Sequence, residues 1–145
     1  MSQTILLVED NDDDAELTLR ALASARIANP IVRARDGVEA LDYLFARGAH
    51  AGRDPSELPC VVLLDLRLPR LDGTDVLKAI RADPRTVTVP VVLLTSSNED
   101  RDRLTAYEHH ANSFVQKPVD YQEFIIAARQ LGMYWAVMNH PPPKK

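Results

Sequence analysis

Five short apolar runs punctuate the chain: TILLV at 4–8, IVRA at 31–34, VVLL at 61–64, VPVVLL at 89–94 and SFVQ at 113–116. Runs of this length that lack a helical period and are rich in Val, Ile and Leu read as strands buried on both faces. Four of them stop on a chemically distinctive residue. Glu9-Asp10 follows the first, Asp65 the third, Thr95 the fourth and Lys117-Pro118 the fifth.

Between the runs, the spacing turns helical. In 12–27, Ala15, Leu19, Leu22 and Ile27 form an uneven apolar stripe behind Asp12, Asp13 and Asp14, whose charges suit a helix N-terminus. Asn29-Pro30 breaks this segment. A helix is expected over 37–47 with Val38, Leu41, Leu44 and Phe45 inward, then a long polar loop over 48–59. Further helices are expected at about 74–82, ended by Asp83-Pro84, at 100–110 and at 121–138. The PPPKK tail cannot be helical.

Strand and helix signals alternate five times, which implies an α/β fold with a parallel sheet covered on both faces. Right-handed crossovers favour a doubly wound, flavodoxin-like sheet of five strands in the order 2-1-3-4-5, with five helices. The first and third strands then lie side by side at the switch point, the edge where such sheets bind ligands. Glu9, Asp10 and Asp65 become neighbours there.

With 145 residues and 46% hydrophobic content, one domain is expected over 1–145, its core spanning about 4–131 and an extension about 132–145. The net charge of −4 argues against nucleic acid as a partner. Neither a signal peptide nor an apolar stretch approaching the roughly 20 residues of a membrane span is visible, so a cytoplasmic protein without membrane attachment is expected. The single cysteine, Cys60, has apolar neighbours and reads as inert core filler.

Three converging carboxylates repel one another, and a hard divalent cation resolves the conflict. Magnesium suits the donor set, with Asp10 and Asp65 as direct ligands, Glu9 holding a water and the Arg67 backbone carbonyl adding an oxygen. Asp65 is then a plausible nucleophile toward phosphorus, forming an acyl phosphate. Lys117 would add positive charge from the far side, and the Thr95 hydroxyl a hydrogen bond. Each residue alone has a plainer reading: acids at strand-to-helix junctions are often caps. Capping does not predict all four at successive strand ends. Asp12, Asp13 and Asp14 read as an acidic helix start. His109 and His110 fall on different sides of a helix, and His50 and His140 sit in loop and tail, so no histidine metal pair is expected.

The stretches ILLVEDNDDD, VVLLDLRLPRLDGTDVL, PVVLLTSS and SFVQKPVD resemble the response-regulator receiver domains of bacterial two-component signalling, over 4–131. The resemblance implies Asp65 as phosphoacceptor, Glu9 and Asp10 in the Mg2+ site, Thr95 as switch hydroxyl, Lys117 as phosphate-contacting lysine and Phe114 as switch aromatic. Gly73 matches the family's turn glycine. The VEDNDDD start, the GAHAGRDPSELP loop and the aromatic last helix resemble stand-alone regulators paired with phytochrome-type sensor histidine kinases. Arg67 departs from the smaller polar residue that many receivers carry, and its guanidinium bears on metal affinity and phosphoryl lifetime.

The expected function is therefore that of a phosphorelay regulator, not a classical enzyme. It would signal through protein contacts, a downstream phosphotransfer protein included. The alternative is a degenerate receiver that only binds proteins. A haloacid-dehalogenase-type phosphatase needs a second acid two residues after the nucleophile, where this chain has Arg67. A flavodoxin-like carrier needs a phosphate loop where this chain has EDNDDD, and no GxGxxG follows the first strand. In the last helix Ile125, Tyr134, Trp135, Val137 and Met138 are candidates for a homodimer interface; the alternative is that they fold back over their own domain.

Overall fold

The computed structural model of the chain describes residues 4–24, 27–95, 113–116 and 122. Five parallel strands form one sheet: β1 (Ile5–Val8), β2 (Ile31–Ala34), β3 (Val61–Asp65), β4 (Val91–Thr95) and β5 (Ser113–Gln116). Their order is β2-β1-β3-β4-β5, the doubly wound order expected from the alternating pattern. Three helices are described, α1 (Asp12–Ser24), α2 (Gly37–Phe45) and α3 (Gly73–Ala82). The helix expected at 100–110 lies outside the described residues, as do the 132–145 extension and all of the helix expected at 121–138 except Gln122, which is helical and exposed.

The strands divide one core into two by alternation. Ile5, Leu7, Val61, Leu63, Val92 and Leu94 pack with Ala15 and Leu22 of α1. The intervening Leu6, Val8, Val62, Leu64, Val91 and Leu93 pack with Ala40 and Leu44 of α2 and with Val76, Leu77 and Ile80 of α3. Every residue of β1 and the first four of β3 are fully buried, which explains why these runs carry no polar alternation. β4 begins at Val91, later than expected, since Pro90 has no N–H to give the ladder; its carbonyl accepts from Val62 N at 2.9 Å.

Two helix faces differ from the sequence reading. On α1, Thr18 is buried beside Ala15 and Leu22, while Leu19 is 38% exposed. The helix is rolled so that a small hydroxyl residue takes the inner position. On α2, Gly37, Ala40, Tyr43 and Leu44 are buried, whereas Val38, Leu41 and Phe45 lie at the margin. The roll of α2 follows from Gly37. A Cβ there would sit 2.1 Å from the Leu71 carbonyl oxygen, so the helix turns its smallest residue toward the loop after β3. Phe45 instead lies near two guanidiniums, with Arg85 4.8 Å and Arg47 5.2 Å from its ring centre.

Helix α2 stops at Phe45 rather than Arg47 because Ala46 turns left-handed, with φ 54° and ψ 56°, and Arg47 N closes the end on the Asp42 carbonyl at 2.8 Å. The following segment is less free than its composition implies. A short 3-10 turn (Gly48–His50) brings His50 Nε2 to 3.3 Å from Glu39 Oε2. Arg53 stacks 3.8 Å from the Tyr43 ring centre and donates to the Tyr43 carbonyl. Cys60 is buried as expected, with Asn29 Nδ2 3.8 Å from its sulfur; burial raises its thiol pKa and keeps it protonated.

Candidate functional site

The pairing of β1 with β3 runs from Ile5↔Val61 to Val8↔Leu64, so the residues that follow share one edge. Carboxylate oxygens of Glu9, Asp10 and Asp65 come within 4.8 Å of one another there. Glu9 is fully buried, Asp65 is 6% exposed, and Asp10 faces solvent. Backbone geometry holds each acid. Glu9 N extends the ladder to the Ala34 carbonyl at 3.0 Å, and Glu9 Oε2 accepts from Asn11 N at 3.3 Å. Asp65 is the last residue of β3, and its Oδ1 accepts from Arg67 N at 3.2 Å.

Such a set offers hard oxygen donors of like charge, two of them withdrawn from water. That combination fits a small divalent cation such as Mg2+, which binds one or two carboxylates and keeps waters. The neighbouring Asp12 belongs elsewhere. Asp12 Oδ1 accepts from Arg33 Nη1 and from Arg35 Nη1, each at 2.8 Å, and these cations hold its carboxyl below the usual range. Arg33 also donates from Nε to the Glu9 carbonyl at 3.0 Å. The arginines at the end of β2 thus neutralise the start of α1 and brace the backbone of Glu9, the first member of the acidic triad. Asn11 Oδ1 accepts from Asp14 N at 2.9 Å, an N-terminal cap on α1.

The loop from Leu66 to Asp72 begins beside the Asp65 carboxylate. Leu66 N continues to the Leu94 carbonyl at 3.2 Å, and Gly73 N returns to the Leu66 carbonyl at 3.0 Å. At Gly73, Cβ would meet the Asp65 carbonyl oxygen at 2.2 Å and Leu66 Cα at 2.8 Å. Gly73 therefore answers a close backbone approach at the start of α3, where the family resemblance implied a turn glycine. Arg70 holds a left-handed φ of 65°. Its Nε and Nη2 grip the two oxygens of Asp36 at 3.0 and 2.9 Å, while Asp36 Oδ1 caps α2 through Glu39 N at 2.8 Å. Burial pushes the Asp36 carboxyl up, but the Arg70 fork and the Glu39 amide outweigh it, and the carboxyl ends below its usual range. No sequence signal marks this pair, which is 34 residues apart. The Arg33–Asp12 and Arg35–Asp12 pairs, at separations of 21 and 23, were equally invisible.

Thr95 ends β4, in register with Gln116 of β5, and Phe114 pairs with Leu93. Of Thr95 and Phe114 only this strand pairing is described. Lys117 lies outside the described residues, as do Ile125, Tyr134, Trp135, Val137 and Met138.

Residues 5–129 match the family model for the response regulator receiver domain. The chain belongs to this family. Two-component phosphorelay signalling is therefore its setting, with a histidine kinase as the partner class that a receiver implies. The receiver is 42% identical over 138 residues to the Probable methanogenesis regulatory protein FilR2 of Methanothrix harundinacea, covering 95% of this chain and 86% of that one. Among solved structures it is similar to the bacteriophytochrome response regulator AtBRR, with TM-score 0.86, 48% identity, and 96% and 99% of the two chains covered. The Mn(2+)-bound form of response regulator Rcp1 gives TM-score 0.74 and 31% identity over 97% of this receiver and 99% of that chain. A protein of that name, from Synechocystis sp., is 32% identical over 133 residues, 92% of this chain and 88% of its own. Among the described residues, no helix of the receiver is long and apolar enough to cross a membrane.

Proposed function

We propose that Asp65 accepts a phosphoryl group from the phosphohistidine of a sensor kinase and that Glu9, Asp10, Asp65 and the Arg67 carbonyl hold the Mg2+ that this transfer requires. The observation that carries the reading is the convergence of three carboxylates within 4.8 Å at the ends of adjacent strands in a receiver-family chain. An Asp65 oxygen attacks phosphorus as the phosphorus–nitrogen bond breaks, and the electron pair of that bond returns to the imidazole. The Arg67 amide holds Asp65 Oδ1 at 3.2 Å and fixes the plane of the attacking group. Bound magnesium supplies positive charge to the phosphoryl oxygens. Lys117 adds a second cation, and Thr95 a hydroxyl donor that works with Phe114 as the switch pair. Similarity to AtBRR supports a phytochrome-type kinase as the donor, and similarity to Mn(2+)-bound Rcp1 supports the metal.

The direct test is intact-mass measurement after incubation with a small phosphodonor such as acetyl phosphate. We expect one added phosphoryl group in the presence of Mg2+ and none in excess EDTA. Equal labelling in both would overturn the metal-dependent reading.

The receiver acts through protein contacts as a cytoplasmic homodimer. Support comes from the apolar residues Ile125, Tyr134, Trp135, Val137 and Met138 near the C-terminus, a composition typical of interface cores. Truncation before Met133 is expected to give a monomer by light scattering while Asp65 still labels. A full-length chain that is monomeric at high micromolar concentration, with or without phosphorylation, would remove the dimer from this account.

A further inference from the structure

The middle of the loop after Asp65 leans on another element. Its ends are fixed by Leu66 and Gly73 through backbone hydrogen bonds. Between them, Leu71 packs against the first turn of α2, where Gly37 leaves no room for a Cβ. Arg70 grips Asp36 there with two parallel hydrogen bonds of 2.9 and 3.0 Å. The grip holds Arg70 in a left-handed backbone conformation, which disfavours residues that have a Cβ. Glycine would bear no such cost, so the two-point contact made by the arginine side chain is what offsets it here. Planar two-point contact is what arginine provides and lysine does not.

We infer that Arg70 and Asp36 form a clamp that positions the loop carrying the Arg67 carbonyl, and thereby set the affinity of the acidic site for Mg2+. Both are positioning residues, since neither belongs to the acidic triad. The inference rests on the proposed magnesium-dependent function. Asp36 joins two tasks, capping α2 and holding the loop, so the N-terminus of α2 becomes a fixed post for the acceptor loop. Partners that orient metal ligands commonly change affinity by about tenfold or more when removed. Arg70 is more than half exposed, and solvent screens its share, so an effect of about fivefold is expected.

The test is a double-mutant cycle with Arg70→Asn, Asp36→Asn and the double variant in the full chain. Asparagine at 70 tolerates the left-handed backbone but cannot form the fork, and asparagine at 36 keeps a capping oxygen while losing the charge. Mg2+ affinity is measured calorimetrically without phosphodonor. The Mg2+ dependence and the saturating rate of labelling are measured separately. Each single variant should bind Mg2+ about fivefold more weakly, the double variant no more weakly than either single, and saturating Mg2+ should restore the rate to within about twofold. Arg70→Lys should recover only part of the affinity. Unchanged affinity in both singles, or fully additive losses, would overturn the clamp.

Amide exchange at Arg67 and Leu68 in metal-free protein separates this outcome from failure of the functional reading. If the parent neither binds Mg2+ nor labels, the proposed function falls. The clamp still stands or falls on whether exchange there accelerates severalfold in both single variants.

Discussion

Asp65→Asn is expected to lose phosphoryl labelling completely while the protein keeps its fold. A carboxamide is nearly isosteric with a carboxylate, and its Oδ1 can still accept from Arg67 N, the bond that orients the native side chain at 3.2 Å. Its oxygen carries no formal charge and does not form a stable acyl phosphate, so the loss is in chemistry. Stability should move the other way. Repulsion between two ionised carboxylates at the cluster's spacing is about 3 kcal/mol at an effective dielectric near 20. Removing one of three like charges should raise the metal-free Tm by a few degrees and shrink the further rise produced by Mg2+. Intact-mass labelling and thermal melts with and without Mg2+ measure both effects. Residual labelling at the parent's level would place the acceptor elsewhere, and a lowered Tm would show that the carboxylate had been holding the fold together.

Gly73→Ala should damage both fold and site. The added Cβ would meet the Asp65 carbonyl oxygen at 2.2 Å and Leu66 Cα at 2.8 Å, both backbone, so no side chain can rotate away. Alanine has a helix propensity about 1 kcal/mol better than glycine, but overpacking against fixed groups costs about 1–3 kcal/mol and more where the obstacle is backbone. The steric cost wins, and a net loss of about 2 kcal/mol is expected in denaturant unfolding. Because the displaced backbone belongs to Asp65 itself, labelling under conditions that keep the variant folded should slow by about tenfold or more. An alanine variant as stable and as fast as the parent would mean that α3 can shift without cost to the acceptor.

Much of this arrangement was legible in the residues. Strand identity followed from the apolar runs, and the adjacency of Glu9, Asp10 and Asp65 followed from the strand order that βα alternation favours. Helix roll was not legible. Thr18 and Leu19 are both compatible with a stripe through Ala15 and Leu22, and only packing against the sheet decides which is covered. Gly37 supplied the missing constraint on α2, but its effect arises from Leu71, 34 positions later. The same gap separates Asp36 from Arg70. Local pattern carries no information about contacts that the tertiary fold creates between loops. The end of α2 at Ala46 was also hidden, since alanine rarely adopts the left-handed cap that glycine or asparagine would have announced.

The segment between α2 and β3 offers a use as an attachment point. His50 and Arg53 tether its first half to α2, and Cys60 N rejoins the Thr4 carbonyl at 2.9 Å. Between these anchors, residues 54–57 are exposed, and Asp54, Pro55 and Ser56 lie beside Arg85, in the turn between α3 and β4. In a parallel sheet this is the edge opposite the acids. A fluorophore, an affinity tag or an inserted reporter peptide grafted at Pro55 or Ser56 would thus leave the acceptor chemistry undisturbed. It would give a handle for following the receiver at work without touching the edge that carries Glu9, Asp10 and Asp65.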